Sequence, residues 1–448
     1  MPRVIIIGGG LAGSLLAIYL AKRGIEVDVY EARRDMRLET SAAGRSINLA
    51  LSDRGLAALE HIRLDEYMLR EAVPMNGRMI HPISGERKLL PYSGREGEHI
   101  NSVSRAGLNV ALINEAERSD GVKFHFNEKC AGFDVSSGEV VFEAGRKASA
   151  DTVIATDGAG SAIRQAMETQ VRDFESSSIF LEHGYKELHI PPAYQHSVTT
   201  GASTDLEPNA LHIWPRHKFM MIALPNFDGS FTCTLFLAHE GENSFAKLKD
   251  PNSLISFFER EFQDAIPLMP SLTTDFFANP TGTLGTVKCW PWNVGGKALL
   301  LGDSAHAVVP FYGQGMNCAF EDVRILDQLI GKHGTDWETV FEEYGELRKE
   351  NTDAIADMAE ENFYEMRDAT ADPVFVRKRE LETKLEQTYQ DYFSKYSMVT
   401  FREDLPYLKA KKRGNAQDRL LMEICAGVND VSEIDTDEVM RRVRETEK

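Results

Sequence analysis

Three glycines near the N-terminus have a spacing that suggests phosphate binding. The segment "GGGLAG" places Gly8, Gly10 and Gly13 in a G-x-G-x-x-G pattern directly after the apolar residues 4–7. The first glycine of such a turn allows the sharp bend, the second lets a pyrophosphate approach the backbone, and the third lets helix and strand pack closely. Glu31 ends the next apolar run, where a carboxylate can accept the ribose hydroxyls of an adenosine. The pattern predicts a dinucleotide site without distinguishing FAD from NAD, and a glycine-rich turn with no ligand is the alternative.

Two aspartates follow apolar runs later in the chain. "TVIATDG" leads to Asp157, with Ser161 and Arg164 where a helix pattern begins, and "ALLLGD" leads to Asp303. A carboxylate at the end of a buried strand can accept a hydrogen bond from a ribose or ribityl hydroxyl. Taken alone, either motif is explained as well by an ordinary strand–turn–helix with a capping aspartate.

The loop after Asp303 combines glycines with aromatic residues. In "PFYGQGMN", residues 313–315 can bring backbone close to a planar ring, and a helix starting near Met316 and Asn317 can stabilise negative charge at its N-terminus. Residues 310–312 are expected to wall a slot for an aromatic guest, with core packing as the alternative. We interpret His306 as a packed, hydrogen-bonded histidine rather than as a ligand or base.

The elements that must position these residues are visible in the pattern of the chain. Residues 4–7, 11–22 and 26–30 follow a strand–helix–strand order, and such a unit implies a parallel sheet. Short apolar runs separated by turn signals favour antiparallel strands between residues 180 and 285. We predict an α/β fold, in which a Rossmann-like dinucleotide-binding domain carries an inserted, mostly antiparallel β-sheet substrate domain and a C-terminal helical region. The expected boundaries are 1–175 and 286–330 for the first domain, 176–285 for the insertion and 331–448 for the helical region. Within the helical region, residues 396–401 have no helical pattern and are expected outside the helices.

Composition excludes several classes of partner. The chain has 448 residues and a net charge of −19, so nucleic acid and anionic membranes are poor partners. Its five cysteines have no paired spacing, so we expect neither a disulfide framework nor a metal site. A strand that begins at residue 3 leaves no room for a signal peptide, and no apolar run could anchor the chain in a membrane. We therefore expect a cytoplasmic protein, either a monomer or a homodimer.

The three motifs together, in this order, resemble the fingerprints of the single-component FAD-dependent aromatic hydroxylases. The resemblance implies tightly bound FAD, transient reduction by NADPH and reaction with O₂ to a flavin hydroperoxide, which hydroxylates an electron-rich ring. Because the cofactor carries the chemistry, no catalytic side chain and no metal is expected. The missing second G-x-G-x-x-G fits a family without a separate nicotinamide domain.

Several segments are similar to the branch of this family that converts L-kynurenine to 3-hydroxy-L-kynurenine in tryptophan degradation. They are residues 44–55, 77–81, 102–105, 310–317, 362–368 and 396–401. An amino-acid head needs a buried cation and hydroxyl groups, and an aniline ring needs an apolar slot. The resemblance assigns the head to Arg78, Tyr92, Asn362 and Tyr396. Animal members carry a hydrophobic membrane-anchoring segment and this chain does not, which indicates the soluble, bacterial-like form.

The resemblance also assigns residues to the cofactor. The adenosine half is expected at the glycine turn and the following strand, and the flavin half at the loops further on. Met220, Met221 and Phe231 are expected to line the far side of the ring slot. The cofactor residues are Gly8, Gly10, Ala12, Gly13, Tyr30, Glu31, Ala32, Arg33, Ala50, Arg105, Cys130 (through its strand backbone), Asp303, Met316 and Asn317.

Two other functions remain open at this level. A related flavin hydroxylase or flavin reductase acting on another aromatic compound would carry the same motifs. Carrier proteins of the GDP-dissociation-inhibitor type share the fold and the first glycine motif without being enzymes. Asp157 and Asp303 favour bound flavin over such a carrier.

Overall fold

The first lobe is built on a six-stranded sheet. A computed structural model describes residues 1–38, 48–192, 206–368 and 372–446, so residues 44–47 of the resembling segment 44–55 lie outside the described residues. Five neighbouring strands of this sheet are parallel, and a short edge strand is antiparallel. In spatial order the strands are Asn293–Val294, Ala298–Leu300, Thr152–Ala155, Arg3–Ile7, Glu26–Glu31 and Val122–Phe126.

The predicted strand–helix–strand unit is confirmed. Arg3–Ile7 is followed by helix Leu11–Lys22 and then by Glu26–Glu31, which pairs with it in parallel. The same first strand pairs in parallel with Thr152–Ala155, which in turn pairs with Ala298–Leu300. Because these strands run in one direction, their carboxyl ends lie at one edge of the sheet. The glycine turn and the loops that carry the two aspartates therefore meet there.

A second sheet has seven strands and is antiparallel except at one pair, which confirms the predicted type. Two of its strands, Gly77–Ile80 and Lys88–Pro91, come from the first part of the chain, and the former pairs in parallel with Leu211–Pro215. Arg78 is therefore carried by this sheet. In spatial order the strands are Gly282–Trp290, Glu175–Ile190, Phe231–Ala238, Met220–Pro225, Leu211–Pro215, Gly77–Ile80 and Lys88–Pro91.

Two small sheets and several helices complete these lobes. The small sheets contain Cys130–Asp134, Glu139–Phe142 and Lys147–Ala148, and Asn48–Leu51, Ile100–Ser104 and Val73–Met75. The α-helices are Leu11–Lys22, Asp53–Glu60, Asp65–Arg70, Arg105–Arg118, Ala162–Gln170, Pro251–Glu261, Leu272–Ala278 and Asp303–His306. Short 3₁₀ helices span Met36–Leu38, Phe245–Lys247, Ile266–Leu268, Pro310–Tyr312 and Val431–Glu433.

The C-terminal part is helical, as predicted. One stretch corrects the sequence interpretation, because residues 396–401 were expected outside helices and a short helix forms from Lys395 to Thr400. Ser394 begins it by accepting a hydrogen bond from the Ser397 amide at 3.2 Å. None of the described helices is long and apolar enough to cross a bilayer. The helices are Gly315–His333, Trp337–Asp368, Pro373–Thr388, Lys395–Thr400, Tyr407–Ala426 and Thr436–Thr446.

Candidate active site

The glycine turn has two tightly packed positions and one open position. A Cβ placed on Gly8 would lie 2.5 Å from the Thr156 carbonyl oxygen, and one on Gly13 would lie 2.0 Å from the Gly8 carbonyl oxygen. A Cβ on Gly10 would meet no atom within 4 Å. Gly8 and Gly13 thus close the turn against the neighbouring strand, while Gly10 faces open space at the start of helix Leu11–Lys22. That space, beside free helical N–H groups, suits a pyrophosphate.

The carboxylate of Glu31 is held beside this turn. It accepts hydrogen bonds from the amide of Gly9 at 2.9 Å and from the amide and Nε of Arg33 at 2.9 and 2.8 Å. Burial raises its pKa, but the hydrogen bonds from Arg33 outweigh burial and leave the pKa below its usual value. Glu31 is therefore an ionised carboxylate beside the turn, as a ribose-binding residue would have to be. Ala32 is exposed, whereas the Tyr30 ring is buried and stacks on His125.

The two aspartates lie at the same edge of the sheet and have unused acceptor oxygens. Asp157 accepts from the Ala162 amide at 2.8 Å through one oxygen, and its other oxygen is buried with no partner among the described residues. Asp303 is exposed towards the cleft and accepts no hydrogen bond from the described residues. Loss of bulk water around both groups raises their pKa values. Hydroxyl groups of a bound dinucleotide would satisfy these oxygens.

Asn317 braces the far end of the cleft. Its amide nitrogen donates to the carbonyls of Ala50 at 2.8 Å and Gly313 at 2.9 Å, and its oxygen accepts from the Ser52 amide at 3.0 Å. The side chain therefore holds the loop against strand Asn48–Leu51, and Asn317 can offer a ligand only its backbone. The half-buried Met316 packs against the core of the first lobe.

Arg105 and Cys130 flank the cleft in different ways. The exposed guanidinium of Arg105 pairs with no acid among the described residues. Its positive charge lowers the pKa of Asp303 and so partly offsets the effect of burial. The buried thiol of Cys130 faces the Gly132 carbonyl at 3.6 Å, and burial raises the pKa of this thiol to about 11. The Cys130 thiol is thus unreactive, and only the backbone of its strand can contribute hydrogen bonds to a bound cofactor. The open space at Gly10 and the unpaired oxygens of Asp157 and Asp303 fit FAD.

The predicted substrate residues come together around Tyr396. The guanidinium carbon of Arg78 lies 4.6 Å from the Tyr396 ring centroid and 5.7 Å from that of Tyr92. The two rings stack at 5.2 Å with an interplanar angle of 9°. Arg78 is 8% exposed, and its Nε has no partner in the described part of the chain. A buried guanidinium with an unused donor is suited to an anion.

The aromatic loop closes this chamber on the other side. Tyr312 stacks on Tyr396 with ring centroids 5.3 Å apart, and Phe311 packs against Phe363 at 4.4 Å. Asn362 donates to the Phe311 carbonyl at 2.6 Å and lines a pocket shared with Tyr312 and Tyr396. All four predicted substrate residues therefore border one chamber beside the loop of residues 313–317.

Strand alternation corrects part of the predicted ring slot. Met220 packs with Phe236 and Phe311 on the face of the second sheet that looks into the chamber. Met221 and Phe231 belong to the apolar cluster on the opposite face, beneath helices Pro251–Glu261 and Leu272–Ala278. Neighbouring strand residues point to opposite faces, so Met220 and Met221 could not both line the slot.

Sequence reasoning missed the charged residues of the chamber. Glu365 lies three positions after Asn362 on one helix, and its Oε1 is 3.7 Å from Nη1 of Arg78. Lys378, Arg379 and Lys395 line the same pocket. The i, i+3 spacing from Asn362 was the available signal for Glu365, because such residues share a helix face. The three cations lie on other helices, so only the packing of the C-terminal region reveals them.

A buried ionic network lies behind the loop of residues 313–317, which is named the flavin loop after the cofactor half expected there. Asp322 accepts from Nε2 of His306 at 2.7 Å and from Nε of Arg348 at 2.6 Å. Glu321 accepts from Arg348 at 2.7 Å and from the fully buried Arg54 at 2.8 Å. His306, Asp322 and Cys318 lie close enough to hold a metal ion, but the Arg348 guanidinium already supplies the cation there. His306 is thus a packed, hydrogen-bonded residue of this network.

Comparison with known proteins agrees with the geometry. The family model described as FAD binding domain matches residues 1–359, and the chain is an FAD-dependent aromatic monooxygenase. The chain is 46% identical over 447 residues to a kynurenine 3-monooxygenase of Myxococcus xanthus, covering 98% of this chain and 94% of that protein. It is 41% identical over 443 residues to a kynurenine 3-monooxygenase of Legionella pneumophila, covering 98% and 97%. The chain belongs to the kynurenine 3-monooxygenase family.

The solved structures support the same fold at much lower identity. The tetrameric form of 2-methyl-3-hydroxypyridine-5-carboxylic acid oxygenase superposes with a TM-score of 0.67 at 20% identity, covering 86% of this chain and 97% of that one. Membership of the family, rather than the shared fold, places the chain among enzymes and not among carriers of the GDP-dissociation-inhibitor type.

Proposed function

We propose that this enzyme hydroxylates L-kynurenine to 3-hydroxy-L-kynurenine, using NADPH and O₂, in tryptophan degradation. The observation that carries the proposal is the buried, partly unpaired guanidinium of Arg78 beside the stacked rings of Tyr92 and Tyr396. The Arg78 guanidinium offers an anion site next to a chamber with aromatic walls, and this chamber borders the flavin loop, residues 313–317. The names of the full-length relatives support the same substrate.

The head of the substrate meets groups that are ready to bind a carboxylate. Arg78 can present two parallel N–H donors to the two carboxylate oxygens. The phenol of Tyr92 stays protonated, because burial raises its pKa far above neutrality, and it therefore acts as a hydrogen-bond donor. Tyr396 adds a second hydroxyl, and Asn362 fixes the aromatic loop through the Phe311 carbonyl.

The aromatic ring of the substrate is held where bulk water is excluded. Phe236, Phe311 and Phe363 form a continuous apolar wall, with ring centroids 5.0 and 4.4 Å apart. FAD, once bound and reduced, supplies activated oxygen for the ring. Asn317 fixes Gly313 and Ala50 at the border between the cofactor cleft and the chamber. The aniline nitrogen already donates electrons to the ring, so the substrate need not lose a proton before it is attacked.

The cofactor contacts follow from the same geometry. We propose that the glycine turn and residues 30–33 bind the adenosine half, and that Asp303, Arg105 and the helix start at Met316 and Asn317 bind the flavin half. Cys130 contributes its strand backbone. The boundaries 1–175, 176–285, 286–330 and 331–448 stand as the proposed domains, with Gly77–Pro91 crossing into the second sheet. A cytoplasmic monomer or homodimer is the form we propose.

Turnover distinguishes this function from that of a related hydroxylase. Purified holoenzyme is given NADPH in air, with L-kynurenine or with a simple phenolic acid, and NADPH oxidation and product mass are recorded. The proposal requires a product one oxygen heavier than L-kynurenine. Hydroxylation of the phenolic acid alone would assign the enzyme to another substrate.

A further inference from the structure

Glu365 places a negative charge beside the carboxylate site. Its Oε1 lies 3.7 Å from Nη1 of Arg78, and its side chain is 27% exposed. It lies on helix Trp337–Asp368, three residues after Asn362, and lines the same pocket as Tyr312 and Tyr396. The chamber therefore presents a cation and an anion next to each other.

The cations on the far side of the pocket are already paired with other acids. Lys378 contacts Glu382 at 3.0 Å and Asp418 at 2.5 Å. Arg379 contacts Glu382 at 2.7 Å, and Lys395 contacts Asp418 at 2.6 Å. These contacts are shorter than the 3.7 Å that separates Arg78 from Glu365. Arg78 and Glu365 thus form a loose pair, and Nε of Arg78 has no partner among the described residues, so both groups retain hydrogen-bonding capacity for a charged ligand.

A plain carboxylate would bind poorly at this pair. Its oxygens would be attracted to Arg78 but repelled by the adjacent carboxylate of Glu365, in surroundings that screen charge weakly. An α-amino acid carries its ammonium on the carbon next to its carboxylate. One such head can therefore meet Arg78 with its carboxylate and Glu365 with its ammonium.

We infer that Glu365 binds the α-ammonium of the substrate and selects zwitterionic amino acids over simple aromatic carboxylates. The inference rests on the proposed function and deepens it by assigning the second charge of the substrate head. Glu365 attracts the correct head and also repels a bare carboxylate, so it favours the amino acid in both ways.

The test compares two ligands that differ only in the ammonium. L-Kynurenine and its des-amino analogue, 3-(2-aminobenzoyl)propanoate, are titrated into oxidised holoenzyme, and binding is followed by the flavin absorbance. Wild type should bind L-kynurenine about 10- to 100-fold more tightly than the analogue, the range expected for a hydrogen-bonded charge. Glu365→Gln should reduce this gap to less than about threefold, through weaker binding of L-kynurenine and tighter binding of the analogue.

Glu350→Gln is the matched control. It removes the same charge from an exposed position on the same helix, away from the residues that line the pocket, and it should keep the wild-type gap between the two ligands. Unchanged FAD content in both variants shows that they fold. An equal gap in wild type and Glu365→Gln would overturn the inference.

The result also separates this inference from the proposed function. Binding of L-kynurenine with a gap that depends on Glu365, but with no hydroxylated product, would reject the proposed reaction and keep the amino-acid selectivity. Formation of 3-hydroxy-L-kynurenine with a gap that does not depend on Glu365 would keep the reaction and reject the role of Glu365.

Discussion

The guanidinium of Arg78 lies over the ring of Tyr396, with its carbon 4.6 Å from the ring centroid. Arg78 is on strand Gly77–Ile80, and Tyr396 is on the short helix Lys395–Thr400. The contact therefore joins the second sheet to the C-terminal region, and the proposed carboxylate site depends on the packing of these two parts. A cation over an aromatic face keeps its charge while most of its water is removed.

Removal of this guanidinium should abolish most substrate binding. For Arg78→Ala we expect the Kd of L-kynurenine to rise at least about 30-fold, because a buried charged contact of this kind is worth roughly 2–5 kcal/mol. FAD content should stay at the wild-type level, since Arg78 does not face the glycine turn. Flavin absorbance titration measures both quantities. Arg444→Ala, which breaks an exposed pair with Asp391, is the control and should bind normally. An unchanged Kd in Arg78→Ala would refute the carboxylate role.

Alanine at two of the turn glycines should separate packing from cofactor binding. Gly13→Ala forces a Cβ within 2.0 Å of the Gly8 carbonyl oxygen, so the free energy of unfolding should fall by about 2–3 kcal/mol. Gly10→Ala meets no protein atom within 4 Å, so the apoprotein should unfold as wild type does while FAD affinity drops, because the methyl group enters the pyrophosphate space.

Gly427→Ala is the matched control for this pair. Its Cβ would meet only the Ile424 carbonyl oxygen at 3.5 Å, an ordinary contact, and it follows helix Tyr407–Ala426 in the C-terminal region, so neither stability nor FAD affinity should change. Thermal unfolding of the apoprotein and FAD titration give the two readouts. Normal FAD affinity in Gly10→Ala would contradict the position proposed for the pyrophosphate.

The glycine turn and the first lobe could be predicted because their structure is determined by residues that are close together in the sequence. The turn around Gly8 and Gly13, the helix Leu11–Lys22 and the strand Glu26–Glu31 depend on neighbouring residues and on periodicity. The helix at Tyr396 was missed because it spans only residues 395–400, too few to show a helical period, and its start is marked by a single capping residue, Ser394. Apolar content alone also does not show which face of the second sheet Met220 or Met221 occupies, because that depends on the strand register.

Stability should depend on pH through Asp53. Burial, followed by the charge of Glu98, raises the pKa of Asp53 from 3.8 to about 6. Between about pH 4 and 6 the unfolded chain loses this proton before the folded chain does, so ionisation lowers stability as pH rises through that window. Asp53→Asn should therefore stabilise the fold by about 1–3 kcal/mol at pH 7.5 and by almost nothing at pH 4. Denaturant unfolding of wild type and Asp53→Asn at both pH values measures this stabilisation. The same stabilisation at pH 7.5 and pH 4 would be inconsistent with the raised pKa.

The network behind the flavin loop should be sensitive to loss of one cation. Arg348 donates to both Asp322 and Glu321 at 2.6 and 2.7 Å and is 2% exposed. Arg348→Ala leaves two buried carboxylates short of a partner, and we expect a loss of about 3–5 kcal/mol in the free energy of unfolding. Arg441→Ala, which breaks exposed pairs with Glu438 and Glu445, should cost less than about 1 kcal/mol. Equal losses in the two variants would show that the network is not stabilising.

The site itself was predictable only in part. A resemblance brought Arg78, Tyr92, Asn362 and Tyr396 together as the substrate set, and the structure places them around one chamber. The neighbouring Glu365 was not found, because its significance is a 3.7 Å approach to a residue on a distant strand. The i, i+3 spacing from Asn362 could place Glu365 on the same helix face, but it does not report the distance from Glu365 to Arg78. The same limit applies to Asn317, whose side chain serves the loop rather than a ligand.

Oxygen labelling tests the central claim most directly. Purified holoenzyme is incubated with NADPH and L-kynurenine under ¹⁸O₂ in ordinary water, and the product is analysed by mass spectrometry. The account predicts 3-hydroxy-L-kynurenine with one ¹⁸O atom in the ring hydroxyl, formed by wild type and nearly absent for Arg78→Ala. NADPH oxidation that yields only hydrogen peroxide from wild type, with L-kynurenine recovered unchanged, would contradict it.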